Sequence, residues 1–384
     1  MRTWWPYLDL ARGLAALLVA LSHLRAFVFV DFHTLDHPGL TWSVFYFVTG
    51  FGHPAVMAFF VLSGFLVGGT VVARANAGHW SWGDYAVTRM TRLWIVLLPA
   101  LLLTAFWDNL GIAITGSSFY TGAMPLIYNS GPVPDPSRYN VKSFFDNLVF
   151  LQTIVAPTFG SNGPLWSLAN EFWYYLLFPL LYRAIATNAQ LGVKFGSATI
   201  ALAICCVLPT GFFIYGMIWL LGVAVFVLHS RIGLTRTYRN IVLALTGALL
   251  AAALALSRTS TLGELVSDCA VGAAFAAMLV PLSHMRRTSS MVAKLSRAGA
   301  EVSYTLYLVH FPFAAFLACY VLDNRRLIPG FASATIFAGM LVVVGLYTYG
   351  VYFLFERNTR AAKQAISQLV AQFHSSEAPT ATAE

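Results

Sequence analysis

Long apolar runs constrain the fold of this chain more strongly than any other feature of its sequence. Runs of about twenty residues, the length needed to cross the hydrocarbon core of a bilayer, recur from the N-terminal region to residue 355. Asp, Glu, Lys and Arg together make up only 10% of the 384 residues, whereas soluble domains carry about 25%. We therefore predict an all-α fold, a polytopic helix bundle within a lipid bilayer.

The apolar runs predict about ten transmembrane helices. Residues 1–357 would form the membrane domain, with one large external loop at about 115–164, and residues 358–384 a cytoplasmic tail that is disordered at its end. The N-terminal run is too long for a signal peptide and is expected to be retained as the first span. The spans are placed at 9–30, 51–72, 93–114, 165–186, 194–209, 211–229, 240–257, 264–282, 302–322 and 332–355.

The distribution of basic residues predicts the orientation of the bundle. With both termini in the cytoplasm, sixteen Lys and Arg residues lie in cytoplasmic loops and five in external loops, as the positive-inside rule requires. The segment 144–157 is too short for an extra span, and an extra span there would reverse the orientation of all later helices. An interfacial or re-entrant helix is therefore expected there. This topology suits the inner membrane of a bacterial cell.

The same topology accounts for the net charge of +8. The basic residues lie in short loops, and no basic stripe with interleaved aromatic residues indicates a nucleic-acid partner. The four cysteines lie in apolar runs without zinc-binding spacing, so neither a metal site nor a disulfide framework is expected.

The stretch 8–23 of the first apolar run contains three ionisable residues, Asp9, Arg12 and His23, which is costly inside a membrane. Arg12 and His23 are eleven positions apart, so on a helix they lie within roughly 20° of one face and about 16 Å apart along the axis. His23 on this face would suit a general base that removes a hydroxyl proton. In the structural alternative, Asp9 and Arg12 form an interfacial ion pair and His23 is a satisfied core residue.

Two arginines at the cytoplasmic start of the third span are candidates for phosphate binding. Arg89 and Arg92 are spaced to share a helix face, where they can form a fork for phosphate groups. The alternative is ordinary positive-inside anchoring. At the end of the last span, Glu356 and Arg357 are expected to form a structural ion pair.

The segment 164–175 enters the membrane from outside with an unusual mixture of polar and aromatic residues. Trp166, Asn170, Glu171 and Tyr174 resemble a sugar-binding site, in which hydrogen-bonding groups lie between aromatic platforms. The alternative is an aromatic belt at the membrane surface with one buried carboxylate.

Two further residues are candidates for catalysis. His310 shares a helix face with Ser303 and Tyr307, and it is equally a catalytic or a structural candidate. Ser63 is interpreted as a small residue that permits close helix packing, with a nucleophilic role as the alternative.

Taken together, these segments resemble acyltransferase family three, multi-span membrane O-acyltransferases that modify cell-surface and secreted glycans. The matching elements occur in the family's order over residues 8–357. Two departures are that the next proline after Arg92 is Pro99, farther away than is usual, and that Asn358 stands where proline is common. The elements are LDLARGLAALLVALSH at 8–23, FFVLSGFL at 59–66, RMTR at 89–92, PLWSLANEFWYYLLFP at 164–179, EVSYTLYLVHFP at 301–312 and FER at 355–357.

The resemblance implies ten spans, a cytoplasmic acyl-CoA donor and an acceptor hydroxyl presented from the other side. It maps the family's essential Arg-x10-His pair onto Arg12 and His23, and its Arg-x-x-Arg element onto Arg89 and Arg92. No esterase-like domain follows in these 384 residues, so nothing within them indicates the acceptor.

We therefore predict a membrane O-acyltransferase that moves an acyl group, commonly acetyl in this family, from acyl-CoA to a carbohydrate hydroxyl, with no permanently bound cofactor. The alternative is a proton-coupled transporter, since ionisable residues within spans also mark such pathways, although no paired repeat of broken spans is present. The candidate residues are His23, Arg12, Glu171 and His310 for catalysis, Arg89, Arg92 and Arg12 for the donor, and Trp166, Asn170, Glu171 and Tyr174 for the acceptor.

Overall fold

The computed structural model describes residues 4–116, 118–123, 131–132, 134–186, 189–229, 231–259, 261 and 263–376. Apart from two isolated β-bridges, the described chain consists of helices and loops. Its α-helices are α1 Pro6–Val28, α2 Leu40–Thr49, α3 Gly52–Ser63, α4 Gly69–Asn76, α5 Trp82–Thr115, α6 Val141–Leu148, α7 Leu165–Ile185, α8 Leu191–Val207, α9 Thr210–His229, α10 Arg236–Leu256, α11 Glu264–Ser283, α12 Ser290–Leu322, α13 Phe331–Leu354 and α14 Thr359–Ser376.

The helices confirm a multi-pass helical membrane protein. Within the described residues, eight helical segments are long and apolar enough to cross a bilayer. The predicted span 165–186 forms α7, which is long enough but falls outside this set because Asn170 and Glu171 reduce its mean hydropathy. The predicted span 194–209 forms α8, which has only 17 residues. The eight segments are Pro6–Val28, Leu40–Asn76, Trp82–Thr115, Thr210–His229, Arg236–Leu256, Glu264–Ser283, Ser290–Leu322 and Phe331–Val370.

Several helix boundaries differ from the predicted ones. The helix α12 begins at Ser290, well before the predicted start of its span at 302, because Ser289 Oγ accepts a hydrogen bond from Val292 N and caps the first turn. The helix α2 occupies ten residues of the segment 31–50 between the first two predicted spans. The short α6 agrees with the expectation that 144–157 does not form a span.

The C-terminal tail also differs from the prediction over its first part. It forms the helix α14 as far as Ser376. Residues 377–384, the end that was predicted to be disordered, lie outside the described residues.

Close contacts between small residues bring the central helices together. A Cβ atom on Gly13 of α1 would lie 3.0 Å from the backbone of Gly299 in α12, and one on Gly64 would lie 1.9 Å from the carbonyl oxygen of Trp219 in α9. Gly64 begins a five-residue π-helical segment, Gly64–Gly68, between α3 and α4. These approaches hold Ser63 against α9 and Arg12 against α12, as small residues do in membrane bundles.

Buried polar contacts shape the external loop before α7. Asp108 of α5 accepts hydrogen bonds from the hydroxyl of Ser161 at 2.6 Å and from its N–H at 2.7 Å. Arg138 donates to the Gly160 carbonyl at 2.9 Å. Because Asp108 and Ser161 are buried, these bonds fix the loop immediately before the start of α7.

Candidate active site

Two adjacent cavities lie inside the helix bundle. The large cavity, of about 1080 Å³, is lined mainly by α1, α3, α5, α7, α12 and the start of α14, and the small cavity, of about 250 Å³, by α1, α3, α12 and the chain around the start of α7. Val56 of α3 and Tyr307 of α12 line both. The Tyr307 hydroxyl shares a hydrogen bond with Ser167 Oγ at 2.6 Å and donates to the Pro164 carbonyl at 3.2 Å, so these side chains form a fixed partition.

The small cavity contains His23, whose ring is held by a second histidine. His23 Nδ1 lies 3.0 Å from His310 Nε2, and His310 Nδ1 lies 2.7 Å from the carbonyl oxygen of Leu306. A carbonyl only accepts, so in the neutral ring His310 Nδ1 carries the proton and its Nε2 accepts. His23 Nδ1 must then be the donor between the rings. This chain of bonds leaves a lone pair on His23 Nε2, the protonation state that a general base needs.

A second imidazole lines the small cavity and was missed from sequence. His53 Nε2 lies 2.9 Å from Asp268 Oδ2, and the carboxylate is buried, with 4% of its side chain exposed. The imidazole stacks on Trp166 with ring centroids 5.9 Å apart. The sequence does show that His53 and Asp268 are ionisable residues within two apolar runs. Because they are 215 positions apart, it does not show that they pair.

The same histidine belongs to a cluster of potential metal ligands. One ligand atom each from His53, Glu264 and Asp268 lies within 4.8 Å of the others, whereas the sequence predicted no metal site. The donor set suits a borderline divalent cation. The hydrogen bond between His53 and Asp268 already accounts for the closest of these approaches, and Glu264 is 76% exposed.

The large cavity is strongly cationic. Eight Lys and Arg side chains line it against four carboxylates, a net charge of +4. Such a lining favours an anionic ligand with several charges. The cations are Arg12, Arg74, Arg89, Arg92, Arg297, Arg357, Arg360 and Lys363, and the acids are Asp9, Glu171, Glu301 and Glu356.

Arg89 and Arg92 both line this cavity from α5, as their spacing predicted. The Arg89 guanidinium lies 5.7 Å from the ring centroid of Tyr85 and 5.8 Å from that of Tyr175. Its Nε is buried and has no hydrogen-bond partner among the described residues. Arg92 lies 5.9 Å from the ring centroid of Tyr304. Aromatic rings thus position both guanidinium groups while leaving hydrogen-bond donors for a ligand.

Arg12 lines the large cavity and His23 lines the small one. Arg12 Nη2 lies 3.0 Å from Asp9 Oδ1, which is the ion pair of the structural alternative, and it donates to the Ala300 carbonyl at 3.4 Å. Because His23 contacts His310, both residues of α1 face α12. The predicted common face is therefore present, but its two ends lie in different cavities.

Glu171 lies apart from the aromatic residues with which the sequence grouped it. Ser63 Oγ donates to Glu171 Oε1 at 2.8 Å, and the Tyr175 hydroxyl donates to the same oxygen. Glu171 lines the large cavity, whereas Trp166 lines the small one. The Ser63 hydroxyl also accepts from Trp219 Nε1 at 3.1 Å, so its bonds serve to position Glu171.

The other members of the predicted acceptor site lie elsewhere. Among the described residues, Asn170 and Tyr174 line neither cavity. Both are buried, and the Tyr174 hydroxyl donates to the Phe212 carbonyl at 2.6 Å. The four residues were expected to line one site, but Trp166 and Glu171 line different cavities and the other two line neither.

Glu356 bonds to α12, contrary to the predicted ion pair with Arg357. Its Oε2 accepts from Thr305 Oγ1 at 2.6 Å and from Thr305 N at 3.1 Å. The Arg357 guanidinium lies instead 4.6 Å from the ring centroid of Phe353. Glu356 thereby fixes the end of α13 against α12, beside the large cavity.

Comparisons with known proteins identify the family to which the chain belongs. A family model described as "Acyltransferase domain" matches residues 5–353. Acyltransferase MdmB of Streptomyces mycarofaciens is 27% identical over 161 residues, which are 42% of this chain and 36% of that relative. The alignment thus spans only about a third of the relative's length. No solved structure matches this chain. Because the family model covers nearly the whole chain, the protein belongs to acyltransferase family three.

Proposed function

We propose that this protein transfers an acetyl group from acetyl-CoA to a hydroxyl of a cell-surface or exported carbohydrate. The proposal rests mainly on one observation, which is that two cavities with different linings share the side chains of Val56 and Tyr307. A cationic cavity suited to a phosphorylated donor contacts Val56 and Tyr307 from one side, and the cavity that contains His23 contacts them from the other.

The proposed topology has ten spans, both termini in the cytoplasm and a location in the inner membrane. Arg74, Arg357, Arg360 and Lys363, which the positive-inside rule assigns to the cytoplasm, line the large cavity. The donor therefore enters from the cytoplasm, and the acceptor reaches the small cavity from the opposite side.

The donor is proposed to bind through its phosphates in the large cavity. Arg89 and Arg92 present planar guanidinium groups, which form two parallel hydrogen bonds with a phosphate. Arg12 lines the same cavity from α1, where its ion pair with Asp9 fixes its position. The thioester end would then extend towards Tyr307.

The acceptor is proposed to bind in the small cavity. Trp166 supplies an aromatic face for a sugar ring, and His53, oriented by Asp268, supplies a hydrogen-bonding group beside it. This set replaces the predicted acceptor site, because Asn170 and Tyr174 do not line the cavity.

In the proposed reaction, the acceptor hydroxyl oxygen attacks the thioester carbonyl carbon. His23 Nε2 takes the hydroxyl proton as the C–O bond forms. The C–S bond then breaks, and the proton is returned to the departing sulfur, so the products are an acyl ester and free coenzyme A. General-base assistance of this kind contributes about 10²–10⁴-fold. His310 orients the His23 ring, while Glu171 acts in the large cavity as a positioning residue for the donor.

The proposal is tested by mass spectrometry of surface glycans and of the culture medium from the native host. A deletion strain should lose one acetyl mass from one product, and the wild-type chain should restore it. His23→Ala should fail to restore it, whereas His33→Ala, an exposed histidine outside both cavities, should succeed. Full restoration by His23→Ala at equal membrane abundance would refute the assignment of the base.

A further inference from the structure

The C-terminal helix α14 extends the wall of the large cavity beyond the segment that the family model matches. That match ends at residue 353, whereas α14 spans Thr359–Ser376. Thr359, Arg360 and Lys363 line the cavity. Part of the cavity wall therefore comes from an element outside the matched region.

Defined contacts hold the start of α14 in place. Glu356, immediately before it, is bonded to Thr305 of α12, and the Thr359 hydroxyl donates to the Glu356 carbonyl at 2.5 Å. One turn later, Lys363 Nζ lies 3.3 Å from Asp84 Oδ1 at the start of α5. The helix is thus fixed against the same two helices that carry Arg92 and Tyr304.

At this end of the cavity, a single carboxylate is shared by two cations. Asp84 contacts both Lys363 and Arg74, and Arg360 adds a third cation on the cavity wall. These groups are accessible to solvent, since the side chains of Arg74 and Lys363 are 41% and 35% exposed. Arg89, by contrast, has a buried Nε. The outer end of the cavity, by which we mean its solvent-exposed end, therefore has its own group of cations, separate from the inner arginines, which lie deeper in the cavity.

We infer that α14 forms a phosphate-binding subsite at the outer end of the large cavity, in which Arg360 and Lys363 bind the phosphates at the nucleotide end of the donor. The inference rests on the proposed use of acyl-CoA. A phosphate monoester carries up to two negative charges and three acceptor oxygens, which Arg and Lys bind through charge-assisted hydrogen bonds. The inner arginines are then left for the part of the donor nearer the thioester.

The test compares two acetyl donors that differ only in the nucleotide. Acetyl-CoA carries the phosphates of the nucleotide, whereas acetyl-pantetheine lacks the whole nucleotide end. Initial rates are measured in inverted membrane vesicles of the native host, which contain the acceptor. For Arg360→Gln combined with Lys363→Gln, the KM for acetyl-CoA should rise about tenfold. The expected rise is smaller than for buried cations, because solvent reaches both side chains and weakens their contacts with phosphate. The kcat should not change, and neither should kcat/KM for acetyl-pantetheine.

A matched variant controls for lost positive charge. Lys194→Gln combined with Arg236→Gln removes two cations that line neither cavity, and it should leave both donors unaffected. An unchanged KM for acetyl-CoA in the α14 variant would overturn the inference. An equal loss with both donors would also overturn it, because that pattern indicates a structural role.

A binding measurement separates a donor phosphate from a lipid phosphate. Adenosine 3′,5′-bisphosphate is titrated calorimetrically against the purified protein in nanodiscs, with and without phosphatidylglycerol. The α14 variant should bind it about tenfold more weakly in both lipids. A defect confined to discs with phosphatidylglycerol would assign the cations to lipid headgroups and overturn the inference. A wild-type chain that uses neither thioester, in vesicles that contain the acceptor, would instead refute the proposed function itself.

Discussion

Replacement of His310 by leucine tests how His23 is oriented. The bond between His310 Nε2 and His23 Nδ1 is 3.0 Å long, and His310 is only 1% exposed, so solvent does not readily replace it. Between neutral rings such a bond contributes about 0.5–1.5 kcal/mol, and once His23 has taken a proton the charged donor raises this to about 1.5–3 kcal/mol. The difference, about 1–1.5 kcal/mol, appears only in the transition state and corresponds to roughly five- to twelvefold in kcat.

A second loss adds to the first. Without an acceptor at His310, the His23 proton is free to occupy Nε2, which removes the lone pair that the base needs. We therefore expect His310→Leu to lower kcat about 10- to 100-fold. The KM for acetyl-CoA should change little, since the cations of the large cavity are untouched.

The matched control is His310→Gln, because a glutamine side chain can place an amide oxygen near the position of the lost Nε2. It should retain most of the activity. Initial rates are measured with labelled acetyl-CoA in inverted vesicles, normalised to the amount of folded enzyme. Wild-type kcat in His310→Leu would refute the orientation argument. Equal losses in the leucine and glutamine variants would refute the role of the acceptor atom.

Three further predictions follow from contacts outside the histidine pair. Gly64→Ala should sharply reduce the yield of folded protein on size-exclusion chromatography, because its Cβ would overlap a backbone oxygen, whereas Gly247→Ala, with nothing within 4 Å, should not. Ser63→Ala should retain transfer within about tenfold of wild type, since the hydroxyl only positions Glu171; complete loss in a folded variant would contradict this. The hydrogen bonds from Arg326, at 2.9 Å, lower the pKa of Asp31. The pair therefore stabilises the fold above the ordinary pKa of 3.8 and stops doing so as pH falls through the lowered pKa. Asp31→Asn should lower the melting temperature at neutral pH, and its difference from wild type should narrow in acid; a constant difference would contradict the assignment.

Local spacing predicted the contacts of α1 well. The ion pair of Asp9 and Arg12, three positions apart, forms as the structural alternative described it, and Arg12 and His23 both face α12. These features depend only on the periodicity of one helix, which an apolar run with few charges fixes. The positions of Arg89 and Arg92 on a single cavity wall follow from the same rule.

The residues of the predicted acceptor site do not line one cavity, because residues close in sequence were taken as neighbours in space. Trp166 and Glu171 are five positions apart, which on a helix places them about 140° apart around the axis. That separation was available from the sequence and already argued against a shared site. The contact of His53 with Asp268 was not available, because it depends on how α3 packs against α11, and periodicity within one run does not determine packing between runs.

The partition between the cavities explains how a membrane enzyme with this topology could transfer an acyl group without becoming a pore. A continuous polar passage between Arg92 and His23 would let protons and solutes cross the bilayer. Val56 places an apolar side chain between the two cavities, and the hydroxyl of Tyr307 is bonded to Ser167, so the partition is anchored to both α12 and α7. In the proposed reaction, the charged donor and the polar acceptor each occupy their own cavity, so only the small, uncharged acyl group needs to reach across the partition. Under that proposal, the separation of Arg12 from His23 along one helix lets the cation contact the donor while the base contacts the acceptor.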